Sequence, residues 1–364
     1  MNLFQVTKKQ PSGGLELKTA TGDIASFKTN YSEPLPAPFN SLNVKCSIVA
    51  SGGGGTPAAP IPIVGHSELN LVRCGKNFIR DEFVSGLPST NIGDDYDTIT
   101  TSTRYAYLNL PNVNGNVTVS ITDYDANYID WVILFGYTNG KLSGKHQINN
   151  FSGSTVNLSG YDHLRIIIGA VSGYAVPSAI STVGKVQLEL GSTATAYEPY
   201  HGTPYLVQFG QTVYGGVYDA NRGKVRITHY YAEYDGTEDW YEGGGSTTYF
   251  ALFNQPSSKS NTDLTQLCNI AIAGGNDYIN FGKFRAQTNG AICIGNRKPD
   301  STLNWADITA FKAYVALNHI QVCYELTTPI EIDVSALSVD TIVGTNNVFH
   351  DGNGDTEVKY LDVV

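Results

Sequence analysis

Apolar and polar residues alternate along much of this chain, and turn-forming residues cut the alternation into short runs. The clearest run is Leu42-Asn43-Val44-Lys45-Cys46-Ser47-Ile48-Val49. A period of two puts every second side chain on one face of a strand, so one face can be buried while the other meets water. Further runs at 105–110, 117–122, 128–136, 154–158, 164–170 and 185–190 predict a series of strands. Asn114-Gly115-Asn116, Asp123-Tyr124-Asp125, Asn139-Gly140 and Ser159-Gly160 separate them. Asn139-Gly140 predicts a tight type I′ hairpin, because both central residues of that turn need positive φ. Beyond 200 the runs at 212–217, 224–228, 247–253, 265–271, 291–295 and 320–326 predict more strands, with others around 331–334 and 356–360. Only 305–318 changes period. There Trp305, Ile308, Phe311, Val315 and Leu317 mark one side, Asp307 and Lys312 stay out, and Asp300 or Ser301 supplies the N-cap region of a helix.

The expected fold is all-β and multidomain: two jelly-roll-like β-sandwiches after a small β connector, with one helix in the C-terminal domain. The expected boundaries are 1–77 for an N-terminal arm and connector, 78–200 for the first sandwich and 201–364 for the second. Pro34, Pro36 and Pro38 favour extended backbone, and Pro60-Ile61-Pro62 fits an edge rather than a central strand. No repeat of solenoid length and no heptad pattern occurs, so the chain reads as a globular end-piece rather than a shaft.

Composition narrows the function. A net charge of −10, with no cluster of Lys and Arg, argues against a nucleic-acid partner. The five cysteines, Cys46, Cys74, Cys268, Cys293 and Cys323, form no CxxC pair and sit in apolar contexts. Buried free thiols from a reducing compartment are expected, and a zinc site is not. Met1-Asn2-Leu3-Phe4-Gln5-Val6 has no apolar signal-peptide core, and no run reaches membrane-span length. The expectation is a chain made and kept in the cytoplasm, with no membrane partner, that reaches the outside inside a particle released by lysis.

Candidate chemistry gathers in two places. The segment 229–242 mixes aromatic and acidic residues, among them Tyr234, Asp235, Trp240 and Tyr241. Aromatic faces stack on sugar rings and carboxylates accept hydroxyl hydrogen bonds, so this mix suits glycan. Glycoside hydrolysis would need two carboxyl groups about 5 to 9.5 Å apart across a cleft. Carboxylates in one short solvated run do not fit that, and no nucleophile motif occurs, so no enzyme is expected. A structural Trp with a charged loop is the simpler account of Trp240. In the middle domain Tyr124 and Tyr137, at strand ends, offer a second platform, with Tyr128, Trp131 and Tyr161 nearby; Trp131 lies within a strand and is expected in the core. No cofactor is expected. A structural Ca²⁺ is the one ion left open, at Asp94-Asp95-Tyr96-Asp97, Asp123-Tyr124-Asp125 or Asp351-Gly352-Asn353-Gly354-Asp355. The last lacks the Gly and Glu an EF-hand loop needs, so Asx turns are the default.

Two longer stretches organise the rest. Val186-Gln187-Leu188-Glu189-Leu190-Gly191-Ser192-Thr193-Ala194-Thr195-Ala196-Tyr197-Glu198-Pro199-Tyr200 is an alternating strand that runs into a small-residue turn and a Tyr-Glu-Pro-Tyr exit. It suits the last strand of a sandwich. Phe209-Gly210-Gln211-Thr212-Val213-Tyr214-Gly215-Gly216-Val217-Tyr218-Asp219-Ala220-Asn221-Arg222-Gly223-Lys224-Val225 contains a hairpin. Both resemble segments of modular tail proteins of phages and prophages of Gram-positive bacteria. The same holds for Thr56-Pro57-Ala58-Ala59-Pro60-Ile61-Pro62-Ile63 with Cys74-Gly75-Lys76-Asn77, for Val322-Cys323-Tyr324-Glu325-Leu326 with Pro329, and for Thr345-Asn346-Asn347-Val348-Phe349. The resemblance covers most of 40–364. It implies a carbohydrate-binding-module-like jelly roll over 78–200, and a virion component of tail-tip, baseplate or fibre type, assembled in the host cytoplasm. Other virion proteins, further copies of the chain and host cell-wall polysaccharide are the partners it implies. An architectural virion protein with no ligand is the alternative, and a wall-glycan hydrolase ranks below both.

Overall fold

The computed structural model describes residues 41–360 other than 112, 114, 244–247, 301–302 and 343, with short strands at Phe4–Val6, Glu16–Lys18 and Ala25–Thr29. Strands dominate, and Ile308–Asn318 is the α-helix among the described residues. The all-β expectation is met.

The middle of the chain is a sandwich of two antiparallel sheets. One holds Lys141–Gln147, Trp131–Thr138, His163–Gly169, Tyr105–Leu110 and Val84–Ser85, in that order. The other holds Ser154–Asn157, Asn116–Thr122 and Lys185–Leu190. Leu108, Leu134 and Ile166 from the first meet Val117, Val119 and Leu188 from the second. Asn139 (φ 51°) and Gly140 (φ 71°) close the expected hairpin. The strand expected from 128 starts at Trp131, because Tyr128 and Ile129 both donate backbone N–H groups to Asp125 O and form a turn.

The outer face of the five-stranded sheet is also covered. Ile133, Phe135, Tyr137, Leu142 and Ile167 form a second apolar cluster there. The segment 86–100 lies over it, fixed by Gly93 N–H to Leu142 O, Leu142 N–H to Asp94 O and Tyr96 N–H to Gly140 O. Burial on both faces explains why Val132-Ile133-Leu134-Phe135 is continuously apolar rather than alternating.

Hydrogen bonding crosses both sequence boundaries expected at 77 and 201. Ser41–Val49 lies between Gly215–Asp219 and Asn353–Tyr360. His66–Cys74 lies between Gly202–Val213 and Gly344–His350. Leu42, Val44, Leu71, Val207, Tyr218, Val225 and Val348 share one core. The strands expected to form a connector are thus interior members of sheets completed by the last part of the chain. The 78–200 sandwich is an insertion whose ends meet: Cys74 pairs with Gly202, and Gly75 N–H donates to His201 O at 3.0 Å. Asn77, fully buried, fastens the join. Its Nδ2 donates to Glu198 O and Val186 O, and its Oδ1 accepts from Ile79 and Leu188 N–H. Glu189 and Gln187 hold the exit from the other side, through Thr195 and Glu198 N–H.

Phe250, Phe284, Trp305, Phe311, Val322 and Tyr324 build a third core under the helix. The helix begins at Ile308, not at 305, and its N-cap is Asp307 rather than Asp300; Ser301 lies outside the described residues. Asp307 is extended (φ −156°) and its Oδ1 accepts from Ala310 N–H at 2.8 Å. Phe311 and Val315 face the core, whereas Leu317 is 85% exposed. Asp307→Ala is expected to lower stability by about 1 kcal/mol in chemical denaturation. An unchanged midpoint would mean that Glu242, whose Oε1 accepts from Ile308 N–H at 2.6 Å, carries the cap alone.

All five cysteines are free and buried. Burial pushes the Cys293 thiol up to about 11 and those of Cys74, Cys268 and Cys323 to about 12, so they pack as small apolar groups. Among the described residues, no helix is long and apolar enough to cross a membrane.

Candidate functional site

The loop 123–130 leaves the three-stranded sheet with Asp123 at φ 48°. Asp125 Oδ1 accepts from Asn127 N–H and from its Nδ2, both at 2.9 Å, which makes a local turn. Backbone bonds tie this loop to its neighbours: Asp125 N–H to Val183 O, Val171 N–H to Asn127 O and Asp130 N–H to Gly169 O. Gly173 (φ 94°) lets the 171–174 turn close, with Tyr174 N–H donating to Val171 O.

These loops present aromatic residues at one end of the sandwich. Tyr124 is 41% exposed, its ring meeting Phe151 edge-on at 5.2 Å. Tyr174 is 40% exposed and packs edge-on against Tyr128 at 5.3 Å. Tyr105 and Trp131 form a further pair at 5.9 Å over Gly169, where a side chain would collide with Tyr105. Trp131 is half-buried rather than in the core. Exposed Asp123, Asp125, Asn127 and Asp130 stand among these rings. Asp123 pairs with Lys185 at 2.5 Å, and this contact raises the lysine's pKa. Fixed loops, apolar ring faces and carboxylates or amides beside them can stack on a sugar and hydrogen-bond its hydroxyls.

The other sequence-derived candidates fall elsewhere. Tyr137 is 1% exposed beneath segment 86–100, packed against Tyr96 at 4.8 Å, and offers no surface. Tyr234 and Trp240 are each 5% exposed, meet edge-on at 5.7 Å and belong to the core under the helix. Trp240 packs on Phe311 at 5.1 Å, and its Nε1–H donates to Glu238 Oε2 at 3.1 Å. The same carboxylate accepts from Asp235 and Gly236 N–H, so it organises the loop. Asp235 is exposed, but its Oδ1 accepts from Thr237 N–H and Oγ–H, which holds its carboxyl below the usual range. Of this segment only Tyr241, 56% exposed and edge-on to Phe253 at 5.5 Å, presents a ring to solvent. The structure therefore leaves Tyr124 on one surface and Tyr241 on another, and withdraws Tyr137, Tyr234 and Trp240 from both.

Sequence reading missed Tyr174 and Phe253; Gly173, a turn glycine just before a tyrosine, was the available signal for the first. It also missed a polar group assembled by strand pairing. Glu233 Oε1 pairs with His319 Nδ1 at 2.6 Å, while Oε2 accepts from Tyr231 Oη–H and Gln321 Nε2–H. These donors, His319 first, lower the carboxyl's pKa. Tyr231 stacks on Tyr214 at 3.8 Å.

The acidic clusters bond to protein. Asp94 accepts from Ser89 and Asn91, Asp95 pairs with Lys141 at 2.5 Å, and Asp351 accepts from Asn70 N–H and Nδ2. No group of three His, Cys, Asp or Glu gathers for a metal among the described residues. No protein-family model, curated protein or solved structure matches this chain.

Proposed function

We propose that this chain is a virion structural protein of the tail-tip, baseplate or fibre type that helps a phage adsorb to its host by holding cell-surface glycan. The sequence resemblance supplies the class. The observation that carries the binding reading is the end of the sandwich, where exposed Tyr124 and Tyr174 stand among carboxylates on loops locked by backbone hydrogen bonds. Locked loops lose little entropy on binding. The reading assigns no hydrolysis, since Asp235, Glu238 and Glu242 serve backbone donors of their own fold.

Purified protein on an array of Gram-positive cell-wall polysaccharides is expected to retain at least one glycan. Tyr174→Ala and Tyr124→Ala should each weaken that binding about 5- to 30-fold, with unchanged melting temperature. Retention by neither array nor intact walls would sink the reading. The architectural alternative has its own support. Gly202–Val213 is an edge strand of its sheet, with Leu206 52% exposed, and such an edge can pair with another copy or a neighbouring protein. Particle imaging that finds the Tyr124 and Tyr174 loops buried against a neighbour would favour it.

A further inference from the structure

We infer that the cleft at the root of the inserted sandwich binds a hydroxylated monoanion, either a sugar acid or a phosphodiester of a polyol. The cleft has a volume of about 600 Å³ and is lined by Arg73, Glu198, His201, Gly202, Thr203 and Ile342. Neither Tyr124 nor Tyr174 lines it, and the inference does not depend on them. Its size suits one or two sugar units.

Arg73 decides the chemistry. It stands opposite Thr203 in strand register, which sets its Nη2 to donate to Thr203 Oγ1 at 2.9 Å. Its Nε is withdrawn from solvent and has no hydrogen-bond partner. No described carboxylate forms an ion pair with it; Glu198 is held by Lys76 at 3.8 Å instead. A guanidinium carries five donors in a planar fork that matches a carboxylate or phosphate edge, and a half-buried cation without an acid is costly. The hydroxyl of Thr341, beside Ile342, is likewise buried without a partner.

The walls select further. Arg73 and Lys76 against Glu198 give this corner a local excess of positive charge in a chain of net charge −10, which favours an anion here. Glu198 limits the charge: a monoanion can sit on Arg73, while a dianion meets the carboxylate. Glu198, Thr203 and His201 can each bond a hydroxyl, and Ile342 covers an apolar ring or chain face.

The test is calorimetry on the full chain with glucuronate, glycerophosphoglycerol, glucose and inorganic phosphate. At least one of the two monoanions is expected to bind about tenfold or more tighter than glucose and phosphate; which one does identifies the source of the anion. Arg73→Gln should weaken it by about 10- to 100-fold with the melting transition intact, and Arg73→Lys should restore part of the loss. If Arg73→Gln does not fold, Thr203→Val releases the Arg73 anchor and should weaken binding severalfold. Equal binding of glucose and both monoanions, or binding indifferent to Arg73→Gln or to its substitute Thr203→Val, overturns the inference. Tyr174→Ala is expected to leave this binding unchanged, so failure here and failure of the glycan reading are separately visible.

Discussion

Arg165→Ala is expected to destabilise the inserted sandwich by about 3–5 kcal/mol, more than most single substitutions. Arg165 sits mid-strand between Asn109 and Phe135 in register and is 1% exposed. Its guanidinium lies 4.0 Å from the Tyr96 ring centroid, 4.6 Å from Tyr107 and 5.5 Å from Tyr137. Nε donates to Asn109 Oδ1 at 2.8 Å and Nη1 to Tyr96 O at 3.0 Å. Ring faces and neutral acceptors, not a carboxylate, compensate this charge. Alanine would leave a void among three tyrosines and release Tyr96 O, one of the points that hold segment 86–100 on the sheet. Arg165→Met keeps much of the volume and removes a desolvated charge, so its loss should be less than half that of alanine. Urea unfolding gives both values, and proteolysis within 86–100 should rise for alanine. A loss below about 1 kcal/mol for Arg165→Ala would show that the cage does not fasten the segment.

Trp240→Ala is expected to cost a similar amount, about 3–5 kcal/mol, by opening the core under the helix. The indole touches Tyr234 and Phe311, and Phe311 in turn stacks on Phe250 at 4.1 Å. Its loss also frees the Glu238 carboxylate from one of its three donors. Any fall in glycan binding should then follow the fraction unfolded, and a temperature at which the variant stays folded should restore it. Tyr241→Ala, which removes an exposed ring that packs on Phe253 rather than in that core, should change stability by about 0.5 kcal/mol or less. Selective loss of binding in a fully folded Trp240→Ala protein would contradict the burial seen here.

Much of the local structure was legible in the sequence. Asn139-Gly140 specified its turn because few residue pairs tolerate two positive φ angles in succession. The burial of Tyr137 was legible too, because the continuous apolar run Val132-Ile133-Leu134-Phe135 just before it marks a strand covered on both faces. The helix start was harder: Asp300, Ser301 and Asp307 are all capping types, and the contact with Ala310 selects Asp307.

Partnership between distant segments was not legible. Val44 pairs with Val358, and Arg73 with Thr203, across stretches that share the same period of two as many other candidates. The amino-acid sequence by itself determined the all-β class, most strand positions, the single helical period and the buried thiols, because these follow from neighbours along the chain. Tertiary structure alone decided that the early strands complete sheets with the last ones, that Tyr124, Tyr174 and Tyr241 reach solvent, and that Arg73 lines a cleft with no described carboxylate paired to it. Each of those depends on what a remote segment packs above or beside the residue, and no local pattern carries that information.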